Sequence, residues 1–424
     1  MSRAFDDKSS CPGMKTLLQI NTNVGWNATG MLTESIGRHA IDAGWMSYAA
    51  YGRDMNGRTE SASKLIKIGN RADQIAHGII TRIADRHGTG SENATRNLIR
   101  SIDAINPDII HLHNIHGYYL NYETLFAYLK RTDKPVVWTL HDCWPFTGHC
   151  AYFSMASCTR WKDGCHSCPL SHEYPASIIT DNSRRNYEHR KRVFTSVPNL
   201  HIVTVSDWLN VTLRQSFLGK FPIYTIHNYM AVKNHKIDKD TTPTVLAVAS
   251  NWEERKGLEY VKGLRALLPE RIKMRVVGLS KAQINSLPAG IEGLPRINER
   301  EELMKIYASA SVFINTSMAD NLPMVNMEAL SCGTPVVAFN SGGMAETISE
   351  HSGIIVRSGD VRSMAHAIHK VLSMPERYSA ESCRNFISEK FSKDNTLGMY
   401  LELYESLIPS LPDRSKILRP FNIM

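Results

Sequence analysis

The stretch from Val312 to Glu346 constrains the fold more than any other part of the chain. Val312-Phe-Ile-Asn315 is a short apolar run with the character of a buried strand. Pro323 suits the first turn of a helix, where its missing N–H costs no bond. That helix should run to about Ser331, with Gly333 as its stop. Pro335-Val-Val-Ala-Phe339 reads as the next strand and Gly342-Gly343 as a tight turn. Two strands joined through a helix make a parallel crossover, the unit of a layered α/β domain. The helix start around Pro323 presents free N–H groups, those of Met324 and Val325, and a positive dipole end, which favour a phosphate. Asp320 lies just before it and Glu328 about one turn into it, where a carboxylate can accept from sugar hydroxyls. A phosphate site beside two carboxylates fits a nucleotide-sugar. The same spacing also suits a plain crossover with an exposed Glu and a turn Asp.

The first half has a similar architecture. Lys15-Thr-Leu-Leu-Gln-Ile-Asn21 reads as a buried strand, followed by a loop holding Gly25 and Gly30 and a helix from about Thr29 to Ala43. The glycines do not form G-x-G-x-x-G, which argues against a dinucleotide enzyme. Residues 53–95 are polar and weakly periodic, with helical pieces around 70–85. Strands are expected at 107–114, ending in His113, and at 135–142, ending in His141-Asp142. Functional side chains gather where parallel strands end, so the two histidines are site candidates, with Asp142 placed to orient the ring of His141. Ser183–Phe194 should be a helix carrying Arg184, Arg185, Arg190, Lys191 and Arg192, either as a solvated face or as a surface toward anionic headgroups. Residues 231–243 read as a linker, and Thr244 begins a second wound sheet. Arg255 and Lys256 then sit between strand and helix, where cations can clamp a diphosphate.

Composition narrows the class without choosing a substrate. The 424 residues suffice for two or three domains, and the net charge of +8 suits an anionic partner. No run reaches the roughly 18 apolar residues of a membrane span. Residues 1–13 read as a disordered leader without the apolar core of a signal peptide, so the expected location is the cytoplasm, in peripheral contact with the plasma membrane's inner face. Five of eight cysteines crowd into residues 143–168. In a reducing compartment that favours metal over disulfide. Cys150, Cys158, Cys165 and Cys168 have the makings of a structural zinc site with one C-x2-C half. His149 and His166 are alternative ligands, and a loop of reduced thiols is the plainer reading.

The motifs also carry a resemblance. Asp320, seven spacers, Glu328-Ala-Leu-Ser-Cys-Gly333-Thr-Pro335-Val-Val-Ala338 and Gly342-Gly343-Met-Ala-Glu346 resemble the signature of family 4 glycosyltransferases, retaining enzymes of the GT-B fold. Residues 107–114 and 136–142 resemble the family's first-domain motifs. The run through Trp144, Thr147, Gly148 and Cys150, with Trp161 to Pro169, resembles its colanic-acid-biosynthesis type, which builds bacterial exopolysaccharide or O-antigen. Two positions depart from the pattern: Asp320 stands where the family has Glu, and Asn251 where it has Arg.

The resemblance implies two doubly wound Rossmann-like domains facing across a cleft: 14–230 with a cysteine-rich insertion at 143–170, and 244–394, with 395–424 crossing back as helix and tail. It implies His141 at the transferred sugar, Asp320 and Glu328 in the catalytic set, and Gly30, Arg255, Lys256, the 323–325 helix start and Glu328 on a UDP- or GDP-sugar. It also implies a saccharide or polyprenyl-diphosphate-linked acceptor, no essential metal cofactor and no nucleic acid. Rival readings are a nucleotide-sugar epimerase or hydrolase on the same fold, a non-catalytic scaffold, and a zinc-containing nucleic-acid binder. The last lacks a recognition helix beside the cysteines.

Overall fold

A computed structural model describes residues 14–54, 59–232 and 239–408. The leader 1–13, part of the 231–243 linker and the tail beyond 408 lie outside the described residues. The first sheet comprises β1 (Thr16–Asn21), β2 (Met46–Tyr51), β3 (Lys64–Lys67), β4 (Ile109–Leu112), β5 (Val136–Leu140), β6 (Leu200–Thr204) and β7 (Ile223–Thr225). Their spatial order is β3-β2-β1-β4-β5-β6-β7, with every neighbouring pair parallel. Helices α1 (Asn27–Asp42), α2 (Arg71–Ala84), α3 (Glu92–Ile105), α4 (Tyr122–Leu129), α5 (Ser183–Phe194) and α6 (Asp207–Leu213) flank it.

The second sheet runs β10-β9-β8-β11-β12-β13, again all parallel. Its strands are β8 (Thr244–Val248), β9 (Lys273–Val277), β10 (Ile291–Leu294), β11 (Val312–Asn315), β12 (Val336–Phe339) and β13 (Gly353–Val356). Helices α7 (Leu258–Arg265), α8 (Lys281–Asn285), α9 (Arg300–Ser309), α10 (Met324–Ser331), α11 (Val361–Ser373), α12 (Ala380–Lys390) and α13 (Lys393–Leu407) complete the chain. Both sheets reverse direction of growth beside their first strand, between β1 and β4 and between β8 and β11. Such a reversal opens a crevice at the carboxyl ends of the strands.

Burial explains the pattern. β4, β5, β11 and β12 are buried along their whole length, as strands covered on both faces must be. Pro323 is the residue before α10 rather than its first turn: its ψ of 106° is extended and the helix begins at Met324. β2 was not foreseen, because Met46-Ser-Tyr-Ala-Ala-Tyr51 lacks the branched aliphatics that mark a strand. α13 returns to the first domain. There Leu397, Tyr400, Leu403 and Tyr404 bury against Leu17, Ile109 and Val137, each burial stabilising by about 1.5–3 kcal/mol. Tyr404 and His111 share a 2.7 Å hydrogen bond and Tyr400 meets Thr139 at 3.2 Å, so the second domain's last helix is tied beneath the first sheet.

Candidate active site

The two crevices face one another. The loop after β11 reaches the end of β5: the Asn321 amide donates to the His141 carbonyl (2.8 Å), and the Cys143 thiol approaches Asn321 Oδ1 (3.8 Å). Gly342 allows this loop to pack. Its φ is +58°, and a Cβ there would stand 1.8 Å from the Asp320 carbonyl oxygen. Further along, the Glu346 carboxylate accepts from the N–H groups of Asp207 and Trp208 at the start of α6 and meets His227 Nε2 at 3.0 Å. Burial pushes the Glu346 carboxyl up, but His227 and those amides hold it below the usual range. A cavity of about 490 Å³ opens between the domains, with Asn27, Asn114, His116, Tyr118 and Tyr174 on one side and Arg255 on the other.

His141 is held by a chain of fixed hydrogen-bond polarity. The Gln19 amide donates to the Thr33 carbonyl (2.9 Å), which leaves Gln19 Oε1 facing His113 Nε2 at 3.2 Å. Nε2 must therefore carry the proton, so His113 Nδ1 accepts from His141 Nε2 at 3.2 Å. The neutral His141 ring is thus left with Nδ1 unprotonated. Burial lowers its pKa to about 4, so it stays neutral at physiological pH. Asp142 does not orient this ring, contrary to the sequence expectation. Its Oδ2 lies 2.9 Å from His116 Nε2, and its Oδ1 accepts from the Trp144 N–H. Burial pushes Asp142 up, yet His116 and that N–H hold it below the usual carboxylate range. His116 gave no sequence signal beyond its place in a histidine-rich loop.

These buried imidazoles have a consequence for stability. Desolvation puts His77 and His141 at about 4 and His111 at about 3, against 6.5 unfolded. Between those values the unfolded chain binds more protons, so stability is present above pH 6.5 and lost as pH falls. Each is expected to cost about 2 kcal/mol at pH 5 relative to neutrality. Thermal melts should show Tm falling steeply between pH 6.5 and 5, and a flat Tm across that window would contradict the assignment.

The donor-side residues assemble only in part. Lys256 Nζ lies 2.7 Å from Asp320 Oδ2, so these two candidates pair with each other. Thr316 fixes the turn below them by donating to the Lys256 and Gly257 carbonyls. Arg255 stacks 4.4 Å from the Tyr152 ring centre, meets Glu253 at 3.2 Å and donates to the Ala319 carbonyl. Glu328 accepts from the Tyr307 hydroxyl (3.1 Å), and burial raises its pKa. Met324 and Val325 open α10 as a half-buried helix start. Gly30 is buried and is not among the residues that line the cavity. It lies inside α1, where a Cβ would stand 2.2 Å from Asn23 Oδ1, and Asn27, Ala28 and Thr29 are the cavity-lining residues of that segment.

Cys150, Cys158, Cys165 and Cys168 do converge on one small cavity with Phe153, Trp161 and Leu170. The Gly148 N–H donates to Cys165 Sγ (3.2 Å). Their sulfurs are not drawn into a closed ligand set. Among the described residues, the trio of His, Cys, Asp or Glu with ligand atoms mutually within 4.8 Å is Asp207, His227 and Glu346. That trio is already occupied in capping α6.

Comparison with known proteins agrees with this geometry. Residues 231–391 match the family model described as Glycosyl transferases group 1. Over 384 residues the chain is 25% identical to WcaC of Escherichia coli K12, provisionally named a colanic acid biosynthesis glycosyl transferase, covering 85% of this chain and 90% of that one. Among solved structures, sucrose-phosphate synthase from Thermosynechococcus elongatus aligns with TM-score 0.67 at 16% identity, over 94% of this chain and all of that one. HepE of Anabaena in complex with UDP aligns with TM-score 0.62 at 15% identity, over 93% and 100%. The architecture is that of GT-B glycosyltransferases. The chain is an enzyme of the glycosyltransferase class.

Proposed function

We propose that this enzyme moves a hexose from a UDP- or GDP-sugar to a saccharide acceptor, carried on a polyprenyl diphosphate, in the assembly of a bacterial exopolysaccharide or O-antigen. The observation that carries the reading is the meeting of the Lys256–Asp320 pair and the α10 start with the His141 strand end, through the Asn321 contact. Lys256, Arg255 and the Met324 and Val325 amides that follow Pro323 hold the diphosphate and stabilise its charge as the glycosidic bond breaks. A neutral His141 meets the sugar as a hydrogen-bonding group, and Glu328 accepts from donor hydroxyls. Transfer proceeds with retention and without a metal. No residue is assigned as a nucleophile, and positioning and leaving-group stabilisation carry the chemistry. WcaC's name supports the pathway, and the UDP complex of HepE supports the donor class.

In this reading the four cysteines around that small cavity staple the loop that packs beside His141, with zinc drawing their sulfurs into the ligand set they do not form without it. Protein purified without chelator should then carry one zinc per chain.

A panel of UDP- and GDP-sugars, read by thermal shift and followed by NMR of the product, tests the proposal. One nucleotide series should raise Tm, and the product should keep the donor's anomeric configuration. Inversion, or release of free sugar in the presence of acceptor, would contradict it.

A further inference from the structure

Helix α2 is inside out. Its buried residues are His77, Gly78 and Thr81, whereas its outward face carries Ile75, Ile79 and Ile83, 55%, 51% and 50% exposed, with Ile80 beside them. The spacing is that of an amphipathic helix, but here the apolar stripe faces away from the core. The buried side is satisfied by polar bonds: the Gly88 N–H donates to His77 Nε2 at 3.0 Å, and Thr81 donates to the His77 carbonyl. The loop 171–182 extends the stripe. The Ile178 N–H donates to the Arg82 carbonyl, and Ile178 and Ile179 are 79% and 69% exposed.

Cations rim this patch. Arg71, Arg82 and Arg86 lie on or just past α2, and Arg184 and Arg185 begin α5, whose N-terminal neighbour Asn182 is bonded to Asp85 and Ala84. All five are exposed, and none pairs with a carboxylate among the described residues. Three of the nearby acids are engaged, Asp73 in the capping box of Asn70, Asp85 with buried His149, and Asp181 with the N–H groups of Ser183 and Cys168, while Glu188, one turn along α5, is an exposed acid beside the rim. The patch reaches the cavity mouth. The Arg82 guanidinium lies 5.9 Å from the centre of the Tyr118 ring, and Tyr118 and Tyr174 line the cavity.

We infer that the outward face of α2, with Ile178 and Ile179, docks on an anionic lipid bilayer and sets the cavity mouth at the membrane surface. An isoleucine stripe edged with arginine matches an acyl boundary beneath acidic headgroups. Self-association through the same face would bring the arginine rims of two copies together with no row of acids to meet them. Among the described residues no helix is long and apolar enough to cross a membrane, so docking would be peripheral. The inference does not depend on which sugar is transferred, and its test uses neither donor nor acceptor.

The full chain is mixed with vesicles of phosphatidylcholine alone or with added phosphatidylglycerol and separated by flotation. Wild type should float with the anionic vesicles and lose binding in high salt. Ile79→Asp with Ile83→Asp should weaken flotation at least about tenfold at unchanged Tm, as should Arg184→Gln with Arg185→Gln. Ile178→Asp, in a loop, serves the same purpose should the helix variants melt early. Failure of wild type to float, or equal flotation of folded aspartate variants, would overturn the inference. So would a dimer in sedimentation that the aspartate variants split.

Discussion

Lys256→Ala is expected to lower kcat/KM for the donor by about 100- to 1000-fold, the range seen when one preorganised group is removed from developing negative charge. Lys256 is held rather than free. Thr316 pins its backbone carbonyl, and Asp320 takes one of its three ammonium donors at 2.7 Å, which aims the others. Side-chain exposures of 16% and 14% place the pair where water screens it little. Removing Lys256 alone also strands the Asp320 carboxylate, so some loss of Tm is expected. Adding Asp320→Ala should restore Tm but not turnover. Recovery of both in the double variant would show that Lys256 serves only the ion pair.

His141→Ala is expected to reduce kcat by about 100-fold, the scale of lost positioning at a reacting centre. Gln19→Leu should reproduce part of that loss, on the order of tenfold, although Gln19 is fully buried beneath the cleft. With leucine there, His113 Nε2 loses its acceptor, and the proton arrangement that keeps His141 Nδ1 bare is no longer imposed. The signature separating positioning from general destabilisation is a fall in kcat with nucleotide affinity unchanged. Gln19→Asn, which keeps both amide groups on a shorter stem, should retain more activity than the leucine variant. Loss of nucleotide binding in Gln19→Leu would contradict the chain of bonds described.

The second domain was legible because its signals are local. The 312–346 stretch combines short apolar runs with Pro323, Gly333 and the Gly342-Gly343 turn, and each marks a boundary that no distant contact has to decide. Asp142 was misread because adjacency in sequence suggested service to His141. The partner that the fold delivers is His116, from the loop after the neighbouring strand. The Lys256–Asp320 pair was illegible because the two lie 64 residues apart, and the motifs placed Lys256 on the donor and Asp320 in the catalytic set as separate roles. In α2 the helix was legible but the orientation of its faces was not: an apolar stripe ordinarily faces a core, and only the polar burial of His77 and Thr81 reveals that this one faces outward. Gly30 shows the limit of a glycine signal. A residue without a side chain marks close approach without saying of what, and here the neighbour is Asn23.

Titration of the free nucleotide into wild type, Lys256→Ala and His141→Ala by calorimetry, using whichever of UDP and GDP wild type binds, bears on the division of labour most directly. A diphosphate gripped by the second domain requires Kd to rise at least about tenfold in Lys256→Ala and to stay within about twofold in His141→Ala. Unchanged affinity in Lys256→Ala, with loss of binding in His141→Ala, would place the nucleotide on the other domain and contradict the account.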